Sequence, residues 1–348
     1  MRGKWILAAA WTAIMMLWCG RALAGGPALV FDPSDGQVLY AENADDQWHP
    51  ASLTKIMTAY LTFEALKTGQ LTLDQRIPYS ARAQAQPPMK LGLHVGATLT
   101  VDQALKSIVI KSANDVAVML AEAIGGSQPG FVSLMNQTAQ RLGMTRTTFV
   151  NASGLPAPLQ VTTARDLAKL ARAAIKDYPQ HTPYWSMFNA KVGRILIGSH
   201  NGLLSSFEGA DGMKTGFICD SGFNVVASAT RDGRQIMAVV LGEPTSAKRT
   251  LRAASLLEHG FDTYGWKRLF RPADTIDSMA IDDAARPVTS VRSTVLSFEC
   301  GTAARRMPRK VIAKKKTRKP GNTEAKTTAP PGARKDKVTA GAPAGKVQ

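Results

Sequence analysis

Ser52 and Lys55, three residues apart in the run PASLTKIMTAY, bring a hydroxyl and an amine to one short stretch. Positions i and i+3 of a helix share a face, so an unprotonated Lys55 could take the Ser52 proton as the hydroxyl attacks a carbonyl. Ile56, Met57, Tyr60, Leu61, Phe63 and Leu66 recur near helical spacing, with Gly69 as a stop. Ser52 is thereby placed at a helix N-terminus, where free backbone N–H groups can hold a developing oxyanion. Taken alone, the same residues also read as a helix cap followed by a solvated lysine. Two further motifs bear on the choice. Ser112-Ala113-Asn114 stands just before a helix, and Lys214-Thr215-Gly216 precedes a predicted strand. Each alone has an ordinary reading, as a cap and as a turn exit, but the three in this order, about 60 and 100 residues apart, form a set.

Positioning that set takes both strands and helices. PALVFD and QVLYA flank Pro33-Ser34-Asp35-Gly36, a turn between two strands. After the Ser52 helix a polar, proline-containing stretch runs to about Leu99. Val101-Asp102-Gln103-Ala104-Leu105 opens a helical region, and Asn114 to Ile124, closed by Gly125-Gly126, reads as another helix. Pro129 at a helix start predicts a further one over FVSLMNQTAQRLG, and Thr162-Thr163-Ala164-Arg165-Asp166-Leu167 opens the next. From Gly222 the period changes, and GFNVVASAT and RQIMAVVLG read as strands joined by the hairpin turn Arg231-Asp232-Gly233. Ser246 to Leu257 is helical again. Strands at both ends with helices between predict a sheet whose edges lie far apart in sequence, with an inserted helical region.

With 348 residues, 45% of them hydrophobic, the chain can bury a large core in one or two domains. Arg2 and Lys4, an apolar run from Trp5 to Cys19 and Ala22-Leu23-Ala24 before Gly25 read as a secretory signal over residues 1–24, its apolar run short for a bilayer span. The bulky Trp18 before Cys19 argues against a lipoprotein site. Export to the periplasm or cell envelope leaves Cys219 and Cys300 in an oxidising compartment, where a disulfide is permitted and not required. The net charge of +17 is uneven: residues 301–348 hold +12 and residues 1–24 hold +3, leaving +2 for residues 25–300. The globular part is thus nearly neutral, and no nucleic-acid groove is expected. The Lys-, Ala- and Pro-rich segment 301–348 is expected to be a disordered basic tail, either a solvated linker without a partner or a segment that binds an anionic membrane surface or wall polymer.

Together the three motifs resemble the penicillin-recognising serine enzymes, most closely the secreted D-alanyl-D-alanine carboxypeptidases of low molecular mass, serine peptidase family S11. The resemblance spans roughly residues 27–265 and includes IKSANDVAVMLAEAIGG, TTARDLAKLA, NGLL, DGMKTGF, SGFNVVASAT and the Lys248-Arg249 helix ending near HGF. It implies an α+β fold of the β-lactamase and penicillin-binding-protein type: an antiparallel sheet with helices on both faces and a helical subdomain. The catalytic domain is then residues 25–268, followed by a short extension, 269–300, whose structure the sequence leaves open. Neither the second all-β domain nor the amphipathic membrane helix often found in the family is carried over.

By the same resemblance, Ser52 attacks the carbonyl between two D-alanines of a peptidoglycan stem peptide, with Lys55 as general base. Lys214 places a second ammonium nearby, which favours a neutral Lys55. Ser112 relays a proton to the leaving amine, Asn114 bonds the substrate amide, and the backbone N–H groups of Ser52 and Phe217 hold the oxyanion beside Gly216. Thr215 and Arg249 hold the terminal carboxylate. His200 departs from the Arg found in some relatives beside Asn-Gly-Leu-Leu, which bears on that clamp. β-Lactams are expected to acylate Ser52, and water releases the acyl-enzyme with no metal or cofactor. A class A β-lactamase needs a deacylating Glu, and the chain has none between Glu122 and Glu208. The five histidines, His49, His94, His181, His200 and His259, lie outside any G-x-S-x-G context, and a non-catalytic wall-binding scaffold would be expected to have lost motif residues. D,D-endopeptidase activity on crosslinked peptides stays open.

Overall fold

Alternation along the strands decides which side chains face which layer. The computed structural model describes residues 25–270, 274–296 and Cys300. Its strands are β1 (Ala28–Phe31), β2 (Val38–Glu42), the ribbon of β3 (Arg76–Pro78) with β4 (Thr98–Thr100), the ribbon of β5 (Asn189–Val192) with β6 (Ile195–Gly198), and then β7 (Ala210–Ile218), β8 (Gly222–Arg231) and β9 (Arg234–Glu243). The central sheet runs β2-β1-β9-β8-β7, antiparallel throughout, so the amino-terminal hairpin joins the carboxy-terminal meander through β1 and β9. Leu29 and Phe31 of β1 lie with Met237, Val239 and Leu241 of β9 in one core layer. Val30 lies with Ile236, Ala238 and Val240 in the other.

The second layer is closed by the helix α6 (Ser246–Phe270) through Ala253 and Leu257. The first is closed by α1 (Thr54–Lys67) and α5 (Ala164–Lys176), and beyond them lie α2 (Val101–Lys106), α3 (Asn114–Gly125) and α4 (Gln128–Arg141). The helix ends carry the signals expected of them: a capping box of Thr100 with Gln103, Ser127 and Thr163 as N-caps, and Gly126 in the left-handed region after α3. Helix α1 is buried on every side from Thr54 to Phe63. Its polar side chains therefore need internal partners, and Thr58 donates to the Ala152 carbonyl at 2.7 Å.

Three features differ from the sequence reading. Lys214-Thr215-Gly216 lies inside β7, not before a strand. Gly212 to Gly216 are all buried, so β7 shows none of the alternation that marks a half-exposed strand. The β3–β4 and β5–β6 ribbons both fall where no strand was expected. Finally, residues 274–296 have little regular structure, yet they run along the domain as a strap. Val38 N–H donates to Asp274 O, Arg165 to the carbonyls of Met279 and Ala280, the Arg286 side chain to Asp46, and Leu296 N–H to Pro244 O. The strap ends at Cys300, which is disulfide-bonded to Cys219 just after β7. The described residues belong to one compact unit. The leader 1–24 and the basic segment 301–348 lie outside the described residues.

Candidate active site

Ser52 is the middle residue of a 3-10 turn, Ala51–Leu53, that feeds into α1. Ala51 has φ +50°, a conformation that residues with a Cβ seldom adopt, so its neighbours must hold it there. Two glycines do so from opposite sides. At Gly154 (φ +86°) a Cβ would overlap the Ala51 carbonyl, and at Gly216 it would come within 3.1 Å of the Ser52 nitrogen. The Gly154 turn is itself fixed by Asn151, whose Oδ1 accepts from the N–H groups of Ser153, Gly154 and Leu155. From β8, Asn224 Nδ2 donates to the His49 carbonyl at 3.1 Å. The backbone carrying Ser52 is thus clamped between β7, β8 and the Asn151 turn.

Lys55 is 1% exposed. Its Nζ lies 3.0 Å from Ser52 Oγ, 2.8 Å from Asn114 Oδ1 and 2.5 Å from the Ser153 carbonyl. Burial, and then the cation of Lys214, hold its pKa well below the usual lysine range against the pull of Asp115. A neutral amine has two N–H donors and one lone pair. With Asn114 and Ser153 taking the two N–H groups, the lone pair is left for the Ser52 hydroxyl proton.

Ser112 and Asn114 reach the site because α2 widens into a π turn over Ser107–Lys111 before breaking at Ser112, which is left-handed at φ 61° and ψ 35°. The Ser112 hydroxyl is buried and has no hydrogen-bond partner among the described residues. A polar atom left in that state marks a place for a ligand group or water. Asn114 also donates to the Pro87 carbonyl at 3.1 Å. Behind it, Asp115 accepts from Tyr79 Oη at 2.8 Å and from the N–H groups of Leu91 and Gly92 at 2.9 Å, which fixes the segment around Met89 beside the site.

On β7, Lys214 is 2% exposed and donates to the Thr215 carbonyl at 3.1 Å. Burial and then the Arg249 cation push its pKa down to about 7. The Thr215 side chain has no hydrogen bond among the described residues, and the Phe217 ring stacks on Phe223 at 4.2 Å between centroids. Arg249 is buried, and this lowers its pKa to about 10; its Nη2 lies 3.1 Å from both the His200 carbonyl and Ser246 Oγ. The His200 imidazole is held below its usual range by burial, then by Lys214, Lys111 and Arg249. Arg249, with Lys214 and Lys111 near His200, puts basic groups on this side of the pocket, which suits a substrate bearing a carboxylate.

Of the residues singled out in sequence, Ser52, Lys55 and Asn114 are joined by direct hydrogen bonds. Gly216 presses on the Ser52 backbone, and Lys214 and Arg249 act on one another through their charges. Ala51, Asp115, Asn151, Ser153, Gly154 and Asn224 escaped that reading. Only Asn151-Ala152-Ser153-Gly154 left a trace, as a polar, glycine-containing turn signal.

A sequence profile of the D-alanyl-D-alanine carboxypeptidases, peptidase family S11, matches residues 19–245. The chain belongs to that family. It is 38% identical over 240 residues to the D-alanyl-D-alanine carboxypeptidase DacC of Escherichia coli K12, an alignment covering 67% of this chain and 60% of that protein. The chain thus spans about three-fifths of that relative's length. It is 32% identical over 259 residues to the D-alanyl-D-alanine carboxypeptidase of Streptomyces sp. K15, covering 69% of this chain and 87% of the relative. Among solved structures, penicillin-binding protein D2 of Listeria monocytogenes in its ampicillin-bound form aligns with TM-score 0.61 and 32% identity, over 68% of this chain and 97% of that one. The S11 fold is the β-lactamase-like fold expected from the motifs, a mixed α/β architecture with an antiparallel sheet.

Proposed function

We propose that this protein is a serine D-alanyl-D-alanine carboxypeptidase that removes the terminal D-alanine from peptidoglycan pentapeptides through an acyl-enzyme on Ser52. The observation that carries this reading is the buried Lys55 amine, with its pKa depressed and its Nζ 3.0 Å from the Ser52 hydroxyl. Ser52 Oγ adds to the carbonyl between the two D-alanines as its proton passes to Lys55. The oxyanion is held by the N–H groups of Ser52 and Phe217. A proton delivered through Ser112 reaches the leaving nitrogen, the C–N bond breaks and D-alanine departs. Water then adds to the ester, releasing the shortened peptide and restoring Ser52. Asn114 bonds the peptide backbone, while Thr215, with Lys214 and Arg249 behind it, receives the terminal carboxylate.

A β-lactam carries both the carbonyl and the carboxylate that these groups read, so it acylates Ser52 by the same step. With no Glu between Glu122 and Glu208, hydrolysis of that adduct is slow. Residues 1–24 direct export, and residues 301–348, with fourteen Lys and Arg, attach the enzyme to anionic lipid or wall polymer by displacing counterions. The test of activity is loss of the terminal residue from a pentapeptide ending in two D-alanines, read as D-alanine from the free acid and as D-alaninamide from the C-terminal amide. Release is expected from the free acid and not from the C-terminal amide. Equal release from both would overturn the carboxylate reading, and release from neither would overturn the activity.

A further inference from the structure

The strap residues 290–296 and Cys300 lie beyond residues 19–245, which carry the family match, and the disulfide ties them back to Cys219 inside it. They converge on one place, the turn Cys219-Asp220-Ser221 between β7 and β8. Val291 N–H donates to the Asp220 carbonyl at 3.0 Å. Ser290 Oγ lies 2.7 Å from Asp220 Oδ1, and Arg292 reaches both carboxylate oxygens at 3.2 Å. Val295 is fully buried, Leu296 N–H donates to the Pro244 carbonyl after β9, and Cys300 closes on Cys219.

That turn joins β7, which carries Phe217, to β8, which hydrogen-bonds the segment ahead of Ser52. On one side it ends β7, the edge strand, whose register at Phe217 is set by pairing with Phe223 across this turn. On the other side the Ser221 carbonyl accepts from Trp48 Nε1 at 2.9 Å, and Asn224 Nδ2 donates to the His49 and Pro50 carbonyls ahead of Ser52. β7 has no further strand along its outer edge among the described residues, so the turn acts beside the packing of Gly216 on the Ser52 backbone in setting the spacing between the N–H groups of Phe217 and Ser52.

We propose that the disulfide-closed strap positions the β7–β8 turn for catalysis, with Cys219, Cys300, Asp220 and Arg292 as positioning residues for the oxyanion site. This rests on the acyl-enzyme reading. A displacement of this kind acts on the chemical step, because the oxyanion forms only in the transition state, and leaves ground-state binding almost untouched.

The test uses the full exported chain and a fluorescent penicillin, with acylation resolved into the non-covalent dissociation constant and the first-order step. The oxidised wild type, the same protein reduced with a dithiol and kept below its melting temperature, and the Arg292→Gln protein are compared. Reduction is expected to slow the first-order step roughly tenfold with little change in the dissociation constant, and reoxidation to restore it. Arg292 is exposed enough that its replacement keeps the fold, and a two- to fourfold slowing of the same step is expected there, which decides the matter should reduction unfold the chain. A lower melting temperature with an unchanged first-order step would show the strap to be structural only. Wild type that takes up no penicillin would overturn both readings, whereas normal uptake with no slowing in the reduced and Arg292→Gln proteins overturns the strap proposal alone.

Discussion

The Lys55 amine stands 3.0 Å from the Ser52 hydroxyl and 2.8 Å from Asn114 Oδ1 in a pocket where Lys55 forms no ion pair among the described residues. A buried lysine without a carboxylate partner is uncommon, because desolvation penalises its charge. In the proposed mechanism the penalty has a use, since it frees the lone pair that would activate Ser52. Lys55→Met keeps an unbranched side chain one atom shorter and removes the base. The acylation rate constant should fall by about 10²- to 10⁴-fold, with circular dichroism showing the chain still folded. A folded variant acylated at the wild-type rate would make Lys55 structural.

Lys214 ties stability to pH. Its pKa in the folded protein, about 7, lies below the roughly 10.4 of an unfolded lysine. Between those values the unfolded chain holds a proton that the folded chain does not, so stability rises with pH by up to about 1.4 kcal/mol per unit from this group. Below about pH 7 both states carry the proton and the gain is gone. Urea unfolding between pH 6 and 10 should therefore show a shallower rise for Lys214→Met than for the wild type. Parallel curves would mean that Lys214 is charged throughout.

Gly154→Ala should slow acylation at Ser52 by displacing the backbone that carries it, without removing any side chain proposed to meet the substrate. The new Cβ overlaps the Ala51 carbonyl, which is backbone and cannot swing away, and Gly154 already sits at a positive φ that alanine resists. The expected result is a stability loss of a few kcal/mol and, in the protein that remains folded, acylation lowered by at least tenfold. A fluorescent-penicillin assay beside a thermal melt reads both, and wild-type acylation would show that the Ala51 turn tolerates movement.

The parts of the site carried by chemically distinctive side chains were legible in the sequence, since Ser52, Lys55, Ser112, Asn114 and Lys214 each stand in a short motif. The parts made of backbone were not. Ser153 contributes a carbonyl, which any residue has, and Ala51 contributes a strained φ that its own type argues against. β7 escaped its correct limits because burial on both faces removes the alternation by which a strand is recognised. The helices were read well where caps and glycines punctuate them, as at Thr163 and Gly126. The strap was illegible for a different reason. It is held by Arg165, Asp46 and Asp220, each far away in sequence, and it has no period of its own.

Ser52 as the acylated residue is the claim on which the rest depends, and intact-mass spectrometry of the purified chain with benzylpenicillin tests it most directly. The expected result is one added penicilloyl group, located by peptide mapping in the segment containing Ser52, and no addition to Ser52→Ala. An adduct of the same mass that persists in Ser52→Ala, or a wild-type chain that gains no mass at all, would contradict it.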